Sequence, residues 1–275
     1  MAVFEIDAYS PRQIAAQVQA VGVVKARLPA LAMFMLGVCA GGFIGLGGLY
    51  SVLVFSDPTL PFAVSRLLGG LAFSLGLVLV VIAGAELFTG NNLLVMAWAD
   101  GMITTAELFR NWIVVYLANA VGAIGLVIVV WLSHHGELNQ GAVAATYVKV
   151  ASIKTALPFW EAFFKGVLCN LLVCLAVWMA MAGRGVTDKI LAVVFPISAF
   201  VAAGFEHCVA NMYLIPLGIL LSPEVPAVNP APGWSGFVSN LVPVTLGNIA
   251  GGSIMIAAVY YLVYRRALKN DSWKS

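Results

Sequence analysis

Two stretches, GAELFTGNN (residues 84–92) and GFEHCVANM (residues 204–212), decide how this chain is built. Each lies inside a long apolar run, and each sets a glutamate where charge is expensive. Gly84, Glu86 and Asn91 of the first match Gly204, Glu206 and Asn211 of the second, 120 residues apart. The surrounding runs, 67–98 and 190–221, are near thirty residues long. A plain spanning helix needs ~20 residues, and tilt does not absorb ten more. A helix interrupted in mid-membrane explains both the length and the phrase.

Four more apolar runs surround these two, at 29–54, 112–133, 158–182 and 241–264. The 275-residue chain is 62% hydrophobic and 9% charged, with a mean hydropathy of +0.99. Soluble domains carry about 25% charged residues, so most of this chain belongs in lipid. The net charge of +2 says little about partners, and no basic patch interleaved with aromatics suggests nucleic acid. Cys39, Cys169, Cys174 and Cys208 all fall in apolar runs without metal-ligand spacing, so neither metal nor cofactor is expected. No cleavable signal sequence is read in residues 1–30. Ser10-Pro11 reads as the start of a short amphipathic helix along the membrane surface.

The halves repeat. Lys25, Leu28 and Pro29 match Lys154, Leu157 and Pro158, and Gly37-Val38 matches Gly166-Val167, always 129 apart. Asn111, Leu117, Asn119 and Gly122 match Asn240, Leu246, Asn248 and Gly251 at the same offset. Three spans per half is an odd number, so the second half enters from the opposite side. The expected fold is an all-α integral membrane protein of six transmembrane helices, an inverted 3+3 repeat with two broken helices. It is read as a single membrane domain over 1–275: N-terminal amphipathic helix 1–28, first repeat 29–133, second repeat 158–264 and tail 265–275. Lysine and arginine divide ten to four across the loops, which places both ends in the cytoplasm.

Broken helices at repeat-related positions point to a transport pathway near the midplane. Two half-helix N-termini, each about half a positive charge, would face it. Glu86 and Glu206 are expected to brace the breaks by accepting backbone N–H bonds, with Asn91, Asn92 and Asn211 meeting the other freed groups. An ionisable group at this depth is usually functional, so His207 is the central candidate for the pore. Asn170, whose repeat counterpart is Gly41, is a candidate contact for His207 or the permeant. Lys25 and Lys154 are symmetry-matched and read as anion collectors at opposite mouths. The hydroxyl of Thr89 fits helix packing as well as a pore. An intramembrane enzyme using Glu206 and His207 lacks a nucleophile–base pair, and a glycerol or water pore lacks an Asn-Pro-Ala at either break.

At these residues, together with Phe73-Ser-Leu-Gly-Leu77, Lys165–Ala180 and Pro243–Asn248, the chain resembles the formate/nitrite transporter family. The resemblance covers roughly residues 20–265. It implies an aquaporin-like protomer in a homopentamer, embedded in the inner membrane, with a pore in each protomer. It implies formate as the first substrate, with nitrite, hydrosulfide, lactate or acetate as alternatives. Position by position it makes His207 the central histidine, Asn170 its polar neighbour and Thr89 part of a mobile loop. It makes Phe73, Leu77, Leu87, Phe88, Val173 and Phe200 the constrictions, and Lys25 and Lys154 the vestibule lysines.

A bare carboxylate in an apolar pore loses solvation worth several kcal/mol. A carboxylic acid titrates near ~4, so at neutral pH the anion must acquire a proton on its way. An unperturbed imidazole titrates near ~6.5, which makes His207 the expected donor or relay.

Overall fold

A computed structural model describes residues 8–266. Most of the 265–275 tail, and residues 1–7 of the N-terminal segment, lie outside the described residues. Among those described there is no strand, and six helices are long and apolar enough to cross a membrane. They are Ala30–Phe55, Phe62–Gly84, Thr105–Leu132, Phe159–Ala180, Val186–Ala203 and Trp234–Arg265. In chain order the helices are α1 (Pro11–Ala26), α2 (Ala30–Phe55), α3 (Phe62–Leu79, ending in a wide turn Val80–Gly84) and α4 (Val95–Ala99). Then come α5 (Thr105–Leu132), α6 (Ala142–Thr155), α7 (Phe159–Ala180), α8 (Val186–Ala203), α9 (Cys208–Leu221) and α10 (Trp234–Ile249, continued by wide turns).

The long runs are broken where the phrases lie. Helix α3 ends at Gly84 with φ +81°, and α8 ends at Gly204 with φ +75°. That left-handed geometry is cheap only for glycine, so the chain turns there and the helix cannot continue. The two breaks resume differently. After the second, α9 is a regular helix of 14 residues. After the first comes a tight 3₁₀ turn, Gly90–Leu94, and only five helical residues of α4. The expectation of two matched half-helix ends therefore holds for α9 and not for α4. Gly90 and Asn92, both poor helix formers, stand where α9 has Ala210 and Met212, while Asn91 and Asn211 match.

Helix α1 starts as expected, with Ser10 and Gln13 forming a capping box and Pro11 in the first turn. Its apolar face packs on protein: Ile14, Ala15 and Val18 join Leu93, Met96 and Trp178, and Gln19 Nε2 donates to the Met96 carbonyl at 3.2 Å. Helix α6 was not anticipated, because residues 134–157 hold no apolar run of spanning length. Its buried face, Val143, Ala144, Tyr147, Val148, Ala151 and Ser152, has helical spacing over only 14 residues. It sits in the chain as α1 does, ending at Thr155, one residue past Lys154, as α1 ends at Ala26, one past Lys25. The repeat boundaries at 29 and 158 thus leave out one short helix in each half.

Glycine brings α2 and α5 together. A Cβ on Gly41 would meet the Asn119 carbonyl, and one on Gly122 would meet the Val38 carbonyl. On the other side Gly247 faces the Phe163 carbonyl and Gly251 the Val167 carbonyl, so α7 and α10 approach in the same way. Backbone cannot retreat as a side-chain tip can. Gly122→Ala is expected to cost about 2–3 kcal/mol through overpacking, read as a lower unfolding temperature in detergent. Gly125→Ala, with nothing within 4 Å of its Cβ, is the matched control and is expected to be neutral or slightly stabilising. Equal effects of the two would show that the close approach is not needed.

Candidate functional site

The two breaks meet. Thr89, in the first, has its Oγ1 3.0 Å from His207 Nε2, in the second. Both residues are buried. His207 is also the N-cap of α9: its Nδ1 accepts from the Ala210 N–H at 3.0 Å. A backbone N–H can only donate, so Nδ1 carries the lone pair and the ring proton sits on Nε2, facing the Thr89 hydroxyl. An imidazolium carries hydrogens on both nitrogens and cannot keep that cap. Protonating His207 and uncapping α9 are therefore one event.

Around this pair the same hydrogen-bond pattern is drawn twice. At the first break Asn119 Oδ1 accepts from the Phe88 N–H, while its Nδ2 donates to the carbonyls of Gly37 and Glu86 at 2.8 and 2.9 Å. At the second, Asn248 Oδ1 accepts from the Cys208 N–H, and its Nδ2 donates to Gly166 and Glu206 at 2.8 and 3.0 Å. The Glu86 N–H donates to the Leu36 carbonyl and the Glu206 N–H to Lys165. Asn91 Nδ2 donates to Glu86 and to Asn111, as Asn211 Nδ2 does to Glu206 and Asn240. Asn111 and Asn240 then donate to the carbonyls of Lys25 and Lys154.

This corrects the expected division of labour. The glutamates do not accept backbone N–H bonds; their carboxylates take Asn and Lys side chains. Lys25 Nζ lies 2.8 Å from Glu86, and Lys154 Nζ lies 2.7 Å from Glu206. Both lysines are thus ion-paired and partly buried rather than free at the rim. The freed backbone groups go chiefly to Asn119 and Asn248, which were visible only as repeat markers. Their recurrence 129 residues apart was the signal in the sequence, since a polar amide kept in an apolar span must meet a buried partner. Asn92 does meet a freed group, donating to the Phe88 carbonyl at 3.3 Å.

No hydrogen bond joins Asn170 to His207 among the described residues. Asn170 Nδ2 reaches the carbonyls of Thr89 and Asn248 and the side chain of Asn92, at 3.2, 2.7 and 2.8 Å, while its buried Oδ1 has no hydrogen-bond partner among the described residues. It holds the loop that carries Thr89. Room for it comes from Gly252, where a Cβ would meet Asn170 Nδ2.

Two cavities that share no lining residue lie near the pair: His207 lines the second, and Leu87 and Gly90, close to Thr89 in the chain, line the first. The first, about 750 Å³, is lined by Lys25, Leu77, Glu86, Leu87, Arg184 and Lys189 among others. The second, about 300 Å³, is lined by Arg66, Phe73, Lys154, Phe200, Glu206 and His207 among others. Phe73 packs edge-on to Phe200 at 5.5 Å, and Phe200 stacks on the His207 ring at 5.9 Å. Leu77 and Leu87 thus line the first cavity and Phe73 and Phe200 the second. Val173 is buried and lines neither cavity. The Phe88 ring packs edge-on to Tyr116 and Trp112 of α5, and Phe88 lines neither of these two cavities. Among the described residues there is no group of three His, Cys, Asp or Glu that could hold a metal.

Residues 12–262 match the family model described as formate/nitrite transporter. The chain belongs to the formate/nitrite transporter family. A formate channel, FocA, of Escherichia coli K12 is 40% identical over 278 residues, covering 96% of this chain and 97% of that one. FocA of Haemophilus influenzae is 44% identical over 236 residues, 81% and 83% of the two chains. A solved structure described as a pentameric formate channel with formate bound is 40% identical, superposes with a TM-score of 0.79 and covers 86% of this chain and 97% of its own. Among members of this family, the chain shares with FocA nearly its whole length, so the broken helices and their asparagine latches lie within the shared region.

Proposed function

We propose that this chain forms a pore for small monovalent anions, formate first, in the cell's inner membrane, with both termini cytoplasmic and five copies assembled. The single observation that carries the pore is the His207–Thr89 pair, set near two separate cavities at the meeting of two helix breaks. The formate preference and the pentamer are brought over from the relatives. The lysine and arginine distribution supports the orientation, and the doubled hydrogen-bond pattern supports two halves related by a two-fold axis in the membrane plane.

The residues take these roles. The ion-paired Lys25 and Lys154 offer remaining N–H groups to an anion at the inner and outer vestibule. Leu77, Leu87, Phe73 and Phe200 strip water. Thr89 and His207 donate hydrogen bonds to the stripped anion. Outright proton delivery needs His207 as imidazolium: Nδ1 first takes a proton and releases the Ala210 N–H, then Nε2 gives its hydrogen to a carboxylate oxygen. The ring is left neutral, and the neutral acid leaves over the apolar wall at far smaller desolvation cost. Asn170 keeps Thr89 at its station.

The test is flux through proteoliposomes. Formate uptake is expected to saturate, formate is recovered unchanged, and glycerol does not enter. Nitrite, hydrosulfide and lactate compete in the order set by the constrictions. Swelling in glycerol without formate uptake would overturn the reading, and chemical conversion of formate would point to an enzyme.

A further inference from the structure

Lys154 in the second cavity is already neutralised by Glu206 at 2.7 Å, and Lys165 by Glu161 at 2.7 Å. Among the described residues no carboxylate pairs with the remaining cation lining that cavity, Arg66. Its partners are carbonyls. Nε donates to Ala202 at 2.9 Å and Nη2 to Val201 at 2.7 Å, while the guanidinium carbon lies 5.3 Å from the centre of the Phe55 ring. These are carbonyls of the last turn of α8, just before the Gly204 break. A helix C-terminus carries about half a negative charge. Left bare, it would repel an anion just where the passage narrows to Phe200 and His207.

We propose that Arg66 is the anion-steering residue of the second vestibule: it masks the negative end of the broken helix and supplies the vestibule's uncompensated positive charge. Its planar fork suits the task. Two of its five N–H groups are engaged by carbonyls, and the rest stay open to a carboxylate or another oxyanion. Phe55 beneath the guanidinium holds the fork in place. The other mouth is served differently, by Arg184 and Lys189 on the α7–α8 side, with Arg184 over the Tyr9 ring at 4.6 Å. Loss of Arg66 must therefore act from one side only. This role rests on the anion-pore reading above.

The experiment uses full-length protein inserted in one orientation in proteoliposomes, with formate supplied from either side. For Arg66→Gln the half-saturating formate concentration at the second vestibule is expected to rise about five- to tenfold at low salt, a local-concentration effect. Maximal flux falls much less, and the value from the opposite side stays as in the wild type. Raising salt from about 0.01 M to about 0.5 M should shift the wild type toward the variant and leave the variant unmoved. Arg66→Lys, which keeps the charge, should stay within about twofold of the wild type. An unchanged half-saturation, or an equal rise from both sides, overturns the steering role. If Arg66→Gln does not assemble, the Lys variant and the wild-type salt series decide, and salt-independent half-saturation overturns it. A wild type without saturable formate flux overturns the pore itself, a result distinct from a change that is merely not one-sided.

Discussion

His207→Phe is expected to cut formate flux at pH 7 by about two to three orders of magnitude, because only preformed neutral acid then crosses and a carboxyl titrating near ~4 leaves about one molecule in a thousand protonated. The ring that replaces the imidazole keeps the stack on Phe200 but offers no hydrogen to the permeant. The pH profile should change with it. Variant flux should climb about tenfold for each unit of acidification until the medium approaches ~4, since the neutral acid climbs at that rate. The wild type should be much flatter, because its substrate arrives as the abundant anion. Phenylalanine also removes the cap on Ala210 N–H, worth about 1 kcal/mol. His207→Asn separates the two effects, because asparagine caps well and cannot relay a proton. The same flux loss is expected for Asn. A near-normal rate and profile in His207→Asn would mean that the cap matters and the proton does not.

Asn248→Leu and Asn119→Leu should be the most destabilising single substitutions in the core, each by about 2–6 kcal/mol, since each orphans at least two buried backbone groups at about 1–3 kcal/mol apiece. One side chain satisfies an N–H after the break, a carbonyl at the break and a carbonyl on the neighbouring helix. Lipid offers no substitute partner. Such a loss is large against a total of roughly 5–15 kcal/mol. Thermal unfolding in detergent and the yield of assembled protein read it out. The two variants should behave alike, because their bonding patterns match. Asn92→Leu, which breaks fewer backbone bonds, should be milder. A shift in unfolding temperature no larger than that of Asn92→Leu would show that the breaks are held by something else.

The pairing of Glu86 with Lys25 is not legible in the sequence. Recurrence in the two halves marks both residues, one as a brace and one as a collector. That their charges cancel depends on α1 folding back over the first break, and Lys25 and Glu86 are 61 residues apart. Helix α6 escaped because its apolar face is spread among alanines over only 14 residues. Phe88 fitted a constriction by position, yet its ring faces Tyr116 and Trp112. Side-chain direction depends on the local backbone, and an irregular segment gives no period from which to infer it.

Membrane residence, six crossings and the two interruptions were determined by the amino-acid sequence alone. Run length, charge scarcity and a glycine–glutamate–asparagine phrase repeated at fixed offset are one-dimensional properties, and lipid leaves so few backbone solutions that they suffice. Only the tertiary structure decided which asparagines tie the loose ends, which lysines are neutralised and that Thr89 faces His207. Those outcomes depend on hydrogen bonds a few ångströms long between segments up to 118 residues apart, and such distances exist only once the helices have packed.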